Sequence, residues 1–192
     1  MSLLTNRRRG VGKSLPYDAE IEYLEDDGAS FVRITLPFKN TWSWFVDFMR
    51  LHNSTTYTAI VTSYPYKVAF FTRSEGAVWT NGNENRINII VPQNLRVQVE
   101  ANQTQINYSW GGRNTMSAPS AYQLTYFFLF STSTTAFHQH RLYGAKIKDN
   151  DNKLVMDLIP VRKGNVGYMY DKISGQLFGN NGTGNFILGA DK

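Results

Sequence analysis

The chain has 192 residues, of which 42% are hydrophobic and 14% aromatic, which suits one folded domain and argues against disorder. It has no cysteine, which excludes a disulfide framework and a thiolate metal site, and no cofactor is expected. The formal net charge is +5, and four of the positive charges lie in residues 1–14, which leaves +1 for the remainder.

The first fourteen residues predict a flexible basic arm, because they combine two glycines with clustered charge and lack hydrophobic periodicity. The cations are Arg7, Arg8, Arg9 and Lys13. Three interpretations stay open: docking on an acidic protein surface of a larger particle, binding of phosphates, or a solvated tail. We favour docking and rank nucleic acid last, since no basic stripe in the body supports it.

The arm carries no apolar run of the kind found in a secretory signal, and no stretch of the chain approaches 18 apolar residues. We therefore expect synthesis in a cytoplasm and no membrane partner.

From residue 15 onward the sequence alternates short apolar segments with Gly, Asn, Asp and Pro, which is typical of antiparallel sheet. In one segment Trp42, Trp44, Val46 and Phe48 fall on one face at a spacing of two, which predicts a core-facing strand. No helix of three turns is evident. The predicted strands are Ala19–Glu25, Phe31–Leu36, Trp42–Leu51, Tyr57–Thr62, Lys67–Thr72, Ala77–Thr80, Arg86–Val91, Leu95–Glu100, Gln105–Trp110, Tyr122–Ser131, Arg141–Lys148, Lys153–Pro160, Val166–Asp171 and Ile173–Phe178.

This pattern predicts an all-β fold, an antiparallel β-sandwich that occupies residues 15–192 as a single domain. The glycine-rich stretch 111–119 is the longest predicted loop in the body.

Aromatic residues next to turns are the features most compatible with ligand binding. Trp79 precedes Asn81-Gly82, Trp110 precedes Gly111-Gly112, and Tyr64 and Tyr66 flank a proline. Such residues suit a glycan platform, a subunit interface or packing at the rim of the sandwich, and the sequence leaves these alternatives open.

Catalytic carboxylates would be expected as a pair on one strand face, and Glu20 and Glu22 are the nearest candidates, followed by Glu25, Asp26 and Asp27. We favour a solvated polar face as the explanation of Glu20 and Glu22, and we expect no enzymatic activity.

Metal ligands are sparse. His138 and His140 share a strand face, but two ligands do not close a zinc site, and the third histidine, His52, is distant in sequence. Asp149 and Asp151 are candidates for calcium, although turn formation alone explains their positions. We expect no bound metal.

The closing residues carry a family resemblance. The set is Leu158-Ile-Pro-Val-Arg162, Val166-Gly167, Tyr170-Asp171, Ser174-Gly175, Leu177-Phe178, Gly182-Thr-Gly184, Phe186 and Gly189. It resembles the last strands of concanavalin A-like (laminin-G-like) jelly-roll domains encoded by phages and prophages of gut bacteria. The opening Leu15–Glu25 with Gly28 resembles the first strand of these domains.

The resemblance spans about residues 15–189 and implies a concanavalin A-like jelly roll on a phage particle. We therefore expect a non-enzymatic structural protein of the virion, such as a head or tail fibre or decoration module. It would be attached to capsid, portal or tail proteins by its arm, homotrimeric, and able to bind a bacterial surface glycan. A lectin-like domain outside a virion is the first alternative, and a glycoside hydrolase of the same fold is the second.

Overall fold

The fold is an antiparallel β-sandwich of jelly-roll type, which confirms the predicted fold class. The structure is a computed structural model that describes residues 14–52, 58–64, 68–73, 76–81, 86–115, 117–118, 120–130 and 139–192. Within these ranges no helix occurs, and every pair of named strands is antiparallel. The strands are β1 (Ala19–Glu20), β2 (Leu24–Glu25), β3 (Val32–Lys39), β4 (Ser43–Arg50), β5 (Thr58–Tyr64), β6 (Val68–Arg73), β7 (Gly76–Asn81), β8 (Arg86–Ile89), β9 (Arg96–Ala101), β10 (Gln105–Tyr108), β11 (Gly112–Thr115), β12 (Gln123–Leu129), β13 (His140–Lys148), β14 (Leu154–Lys163), β15 (Val166–Asp171), β16 (Leu177–Phe178) and β17 (Ile187–Leu188).

The two sheets differ in size. The large sheet has the order β11-β10-β9-β4-β13-β14-β15-β16, with β1 paired to β14 and β2 placed between β13 and β17. The small sheet has the order β3-β12-β5-β6-β7-β8. Neither sheet closes on itself, so the two pack face to face as open layers.

One predicted loop is a strand. The stretch 111–119 contains β11, which pairs with β10 from Gln105↔Thr115 to Tyr108↔Gly112. The reversal is tight because Gly111 adopts a φ of +123°, which side chains on L residues disfavour. Conversely, the predicted strand 173–178 is mostly a turn, and only its last two residues, β16, join the sheet.

Apolar residues from both sheets fill the space between them. Trp44, Val46 and Phe48 of β4 are at most 4% exposed, as their spacing predicts, whereas Trp42 lies in the preceding turn and is half-buried. Phe70 of β6 is fully buried, and its ring centre lies 6.2 Å from that of Trp44 and 5.9 Å from that of Phe48. These contacts join the two sheets at their centres.

The first and last strands meet at one end of the large sheet. Asp18 accepts a hydrogen bond from Gly164 N at 2.7 Å and donates its own N–H to Arg162 O at 2.9 Å. At the far end of the sequence, Lys192 N donates to Glu20 O at 3.0 Å. Residues 18–20 therefore lie beside the end of β14 and the β14–β15 turn.

The contacts of Phe70 give a stability prediction. Phe70→Ala should lower the free energy of unfolding by about 3–5 kcal/mol, because the substitution removes a buried aromatic ring that packs between the two sheets and leaves a cavity. Phe71→Ala is the matched control, since Phe71 is the next residue on the same strand, points to the other face and is only half-buried. Urea unfolding of both variants measures the difference, and equal losses would contradict the packing described here.

Candidate functional site

Three adjoining cavities open on the outer face of the large sheet, where the β3–β4, β9–β10 and β13–β14 turns meet. Their volumes are about 190, 500 and 220 Å³, and Ser43 lines all three. We term them together the rim groove. Its polar lining residues are Thr41, Ser43, Glu100, Asn102, Gln103, Thr104, Gln105, Asn107, Lys146, Lys148, Asp149, Asn150 and Asn152.

The floor of the rim groove follows from strand register. Phe45 of β4 lies opposite Lys146 of β13 on one side and Glu100 of β9 on the other, and Ser43 lies opposite Lys148. Side chains alternate along a strand, so the burial of Trp44 in the core leaves Phe45 on the outer face, where its ring is half-buried. The floor is thus one aromatic ring with an acid and two lysines around it.

The turns that wall the groove are fixed by their own side chains. Asn102 Oδ1 accepts hydrogen bonds from the backbone N–H groups of Thr104 and Gln105, both at 2.9 Å. Asp149 Oδ1 accepts those of Asp151 at 3.0 Å and Lys153 at 2.9 Å. These are the hydrogen bonds by which Asn and Asp stabilise tight turns, and they hold the groove walls in place.

Several polar groups in the groove have hydrogen-bonding capacity to offer. Gln105 Nε2 donates to Asn107 Oδ1 at 2.7 Å, which orients both amides, and both residues line one of the three cavities. The Thr41 hydroxyl is buried and has no hydrogen-bond partner among the described residues. An unpaired buried hydroxyl costs free energy, which a hydroxyl-bearing ligand would recover. Amides, carboxylates and one apolar ring together suit a polyhydroxylated ligand with an apolar face.

In the other half of the same sheet face, the charged and aromatic side chains already contact one another. Arg96 forms two hydrogen bonds with Asp47, at 2.8 and 2.9 Å, and its guanidinium lies 4.0 Å from the Tyr143 ring centre. Arg141 donates to Glu25 at 2.7 Å and lies 4.3 Å from the ring centre of the neighbouring Tyr23. Cations cover both tyrosine rings, so these aromatics are structural contacts and not open platforms.

The aromatic residues selected from the sequence have different fates. Trp79 is completely buried, so its prediction as a surface platform or interface residue is wrong: strand alternation turns its indole into the core. Trp110 is half-buried, with its ring centre 4.8 Å from that of Tyr108 and its indole N–H donated to Ile90 O at 2.6 Å. Tyr64 is 52% exposed on the small sheet and remains a candidate.

Tyr66 and the arm cations Arg7, Arg8, Arg9 and Lys13 lie outside the described residues, as does His138. The arm and its partners therefore stay predictions. None of the aromatic candidates that the structure describes lines the rim groove.

The carboxylates considered for catalysis are dispersed into separate contacts. Glu20 of β1 and Glu22, which lies between β1 and β2, are exposed, and Glu25 is engaged by Arg141. Asp27 binds the closing loop, because its Oδ2 accepts the backbone N–H of Asn185 at 2.7 Å while its Oδ1 accepts the Ser30 hydroxyl at 2.8 Å.

Metal-ligand candidates are also occupied by structural contacts. His140 is buried, with Nε2 at 3.0 Å from the Thr72 hydroxyl and 3.3 Å from that of Thr58. Asp149 closes its turn as described, and Asp151 is exposed in the same turn. Within the part of the chain that the structure describes, no three His, Cys, Asp or Glu side chains are grouped as metal ligands would be.

Comparisons of the chain with protein-family models, with curated proteins and with solved structures found no match. Among the residues that the structure describes, no helix has the length and hydrophobicity needed to cross a membrane.

A buried acid in the loop at residues 26–30 is expected to make the stability of the protein depend on pH. Asp26 is fully buried; its Oδ1 accepts the N–H groups of Gly28 at 2.8 Å and Ser30 at 3.2 Å, and its Oδ2 has no partner among the described residues. Burial raises the pKa of Asp26 from 3.8 to about 7, since the charged form would lose its hydration.

The direction of the resulting pH effect follows from linkage. In the folded protein Asp26 keeps its proton up to about pH 7, whereas in the unfolded chain it loses it near pH 3.8. The stability that this proton supplies is complete below pH 3.8 and is lost as the pH rises through about 7.

Between pH 5 and pH 8 we therefore expect Asp26 to reduce the free energy of unfolding by about 2–3 kcal/mol. In Asp26→Asn this slope should disappear, because the amide keeps the acceptor oxygen and does not titrate. Urea unfolding of both proteins at the two pH values measures the slopes. Parallel slopes in the wild type and the variant would show that Asp26 is not the responsible group.

Proposed function

We propose that the chain is a non-enzymatic component of a bacteriophage particle, a head or tail fibre or decoration module, whose β-sandwich binds a glycan of the bacterial surface. The rim groove is the observation that carries the sugar-binding part of this proposal. The resemblance of the closing and opening strands to phage-encoded concanavalin A-like domains supports the particle setting.

The groove suits a sugar because it offers both parts of sugar recognition. The half-buried ring of Phe45 provides an apolar surface on which the C–H face of a pyranose can pack. Around it, the amides of Asn102, Gln105 and Asn107 can hydrogen-bond to hydroxyl groups. These groups come from strands and from closed turns, so little conformational entropy is lost on binding.

The proposal replaces the sites first suggested by the sequence. Trp79 is buried, and Trp110 uses its indole N–H within the fold. Tyr64 lies on the small sheet, on the opposite side of the sandwich from the rim groove. A glycan platform at Tyr64 is therefore a distinct alternative that variants can separate.

Glycan binding should be lost when the groove is altered. We expect Phe45→Ala and Asn107→Ala each to weaken binding of a recognised polysaccharide by about tenfold, the effect of losing roughly one good contact. Tyr64→Ala is the matched aromatic control and should bind as the wild type does. A glycan array followed by titration calorimetry measures this, with circular dichroism to check folding. Loss in Tyr64→Ala but not in Phe45→Ala would place the site on the small sheet instead.

Attachment to the particle is proposed to depend on the cations of residues 1–14. Changing Arg7, Arg8, Arg9 and Lys13 to glutamine should leave the domain folded but absent from purified particles, because the arm would no longer be attracted to an acidic surface. Mass spectrometry of purified particles measures occupancy.

Full occupancy of this variant would overturn arm docking. If the wild-type chain is itself absent from particles but still binds glycan, the lectin-like alternative outside a virion is the correct one. The homotrimeric state remains a prediction that native mass spectrometry of the full chain checks.

A further inference from the structure

The rim groove contains two lysines whose charges are poorly neutralised by their neighbours. Lys146 Nζ lies 3.8 Å from Asp157 Oδ1, and Lys148 Nζ lies 3.9 Å from Glu100 Oε1. Both distances exceed the 2.7–3.2 Å of an N–H···O hydrogen bond. Neither ammonium group has a hydrogen bond within the described part of the chain, so each retains donors for a ligand.

The arginines of the same protein behave differently. Arg96, Arg141 and Arg162 approach their carboxylate partners to 2.8, 2.7 and 2.6 Å. These three ion pairs are tight, whereas the pairs of Lys146 and Lys148 at the groove are loose. Asp157 is moreover shared, since Lys172 Nζ approaches its Oδ2 to 3.2 Å, which weakens its hold on Lys146.

The two lysines are placed to act together. They stand two residues apart on β13 and project on the same face, with their Cα atoms about 7 Å apart. Lys146 is in register with Phe45 and Lys148 with Ser43, so both ammonium groups flank the floor of the groove. Their side chains are 46% and 35% exposed, which leaves them accessible from solvent.

We propose that the groove takes an acidic saccharide, such as a uronic acid, whose carboxylate binds between Lys146 and Lys148. This inference rests on the proposed glycan-binding function and adds the charge class of the sugar. The pyranose ring packs on Phe45 while its carboxylate receives charge-assisted hydrogen bonds from the ammonium groups. The exposed pair of Lys148 with Glu100 contributes little by itself, so Glu100 can turn to accept a sugar hydroxyl without a large penalty.

The test uses an array of matched saccharides with the full chain: oligogalactan against oligogalacturonate, and oligoglucan against oligoglucuronate, at equal length. We expect binding to acidic members in preference to neutral ones, and weaker binding at high salt. Lys146→Gln and Lys148→Gln should each weaken acidic binding by about tenfold or more, the effect of losing a charged hydrogen bond. Lys148→Arg, which keeps the positive charge, should retain most of the binding to acidic saccharides.

Lys163→Gln is the matched control, because Lys163 is exposed at the opposite end of the large sheet and should have no effect. Equal binding of neutral and acidic members would overturn the acidic assignment while leaving glycan binding intact. Acidic binding that survives in the double variant of Lys146 and Lys148 would also overturn it. Binding to no member of the array would overturn both proposals.

Discussion

The pairing of β4 with β13 is the constraint on which the rest of the molecule depends. It runs from His140↔Arg50 to Lys148↔Ser43 through the centre of the large sheet, and one irregularity between Leu142 and Gly144 adjusts its register. On the inner side the pairing presents Trp44, whose ring meets the small sheet through Phe70.

On the outer side the same pairing places Phe45 beside Lys146. A one-residue slip would exchange these two sets, which would bury charges and expose the core. Core packing and groove composition are therefore two outcomes of one register.

Electrostatics divides the outer face of the large sheet into two regions. At one end, the Asp47 carboxylate raises the pKa of Arg96 by accepting its hydrogen bonds, and Arg96 in turn covers the Tyr143 ring. In that region the side chains satisfy one another's hydrogen bonds and charges without a ligand. At the other end, a single phenyl ring is surrounded by amide side chains and by two lysines whose ion pairs with carboxylates are long. The N···O distances of the ion pairs therefore distinguish the two regions.

Much of the fold follows from the sequence, because it depends on local patterns. Alternation along 42–51 predicts correctly that Trp44, Val46 and Phe48 belong to the core, and the Asp and Asn residues at 149–152 mark a turn that the structure contains. Trp79 shows how the same rule can be missed: its closeness to Asn-Gly suggests a turn, although it lies within β7 and its side chain is completely buried.

The rim groove could not be predicted from local patterns, because it is formed by turns at residues 40–42, 102–104 and 149–153. Each of the last two turns has recognisable Asn or Asp chemistry. Their adjacency depends on β4 lying between β9 and β13, which is strand order and not local pattern.

The position of Asp18 against Gly164 has a consequence for orientation. Strand β14 begins next to the β13–β14 turn, which walls the groove, and ends nine residues later beside Asp18. At about 3.3 Å per residue, the two points are about 30 Å apart, on opposite poles of the sheet. A tether that enters through residue 14 would therefore attach at the end of the sheet opposite the lysine-flanked cleft, which would leave the cleft accessible to a ligand from outside.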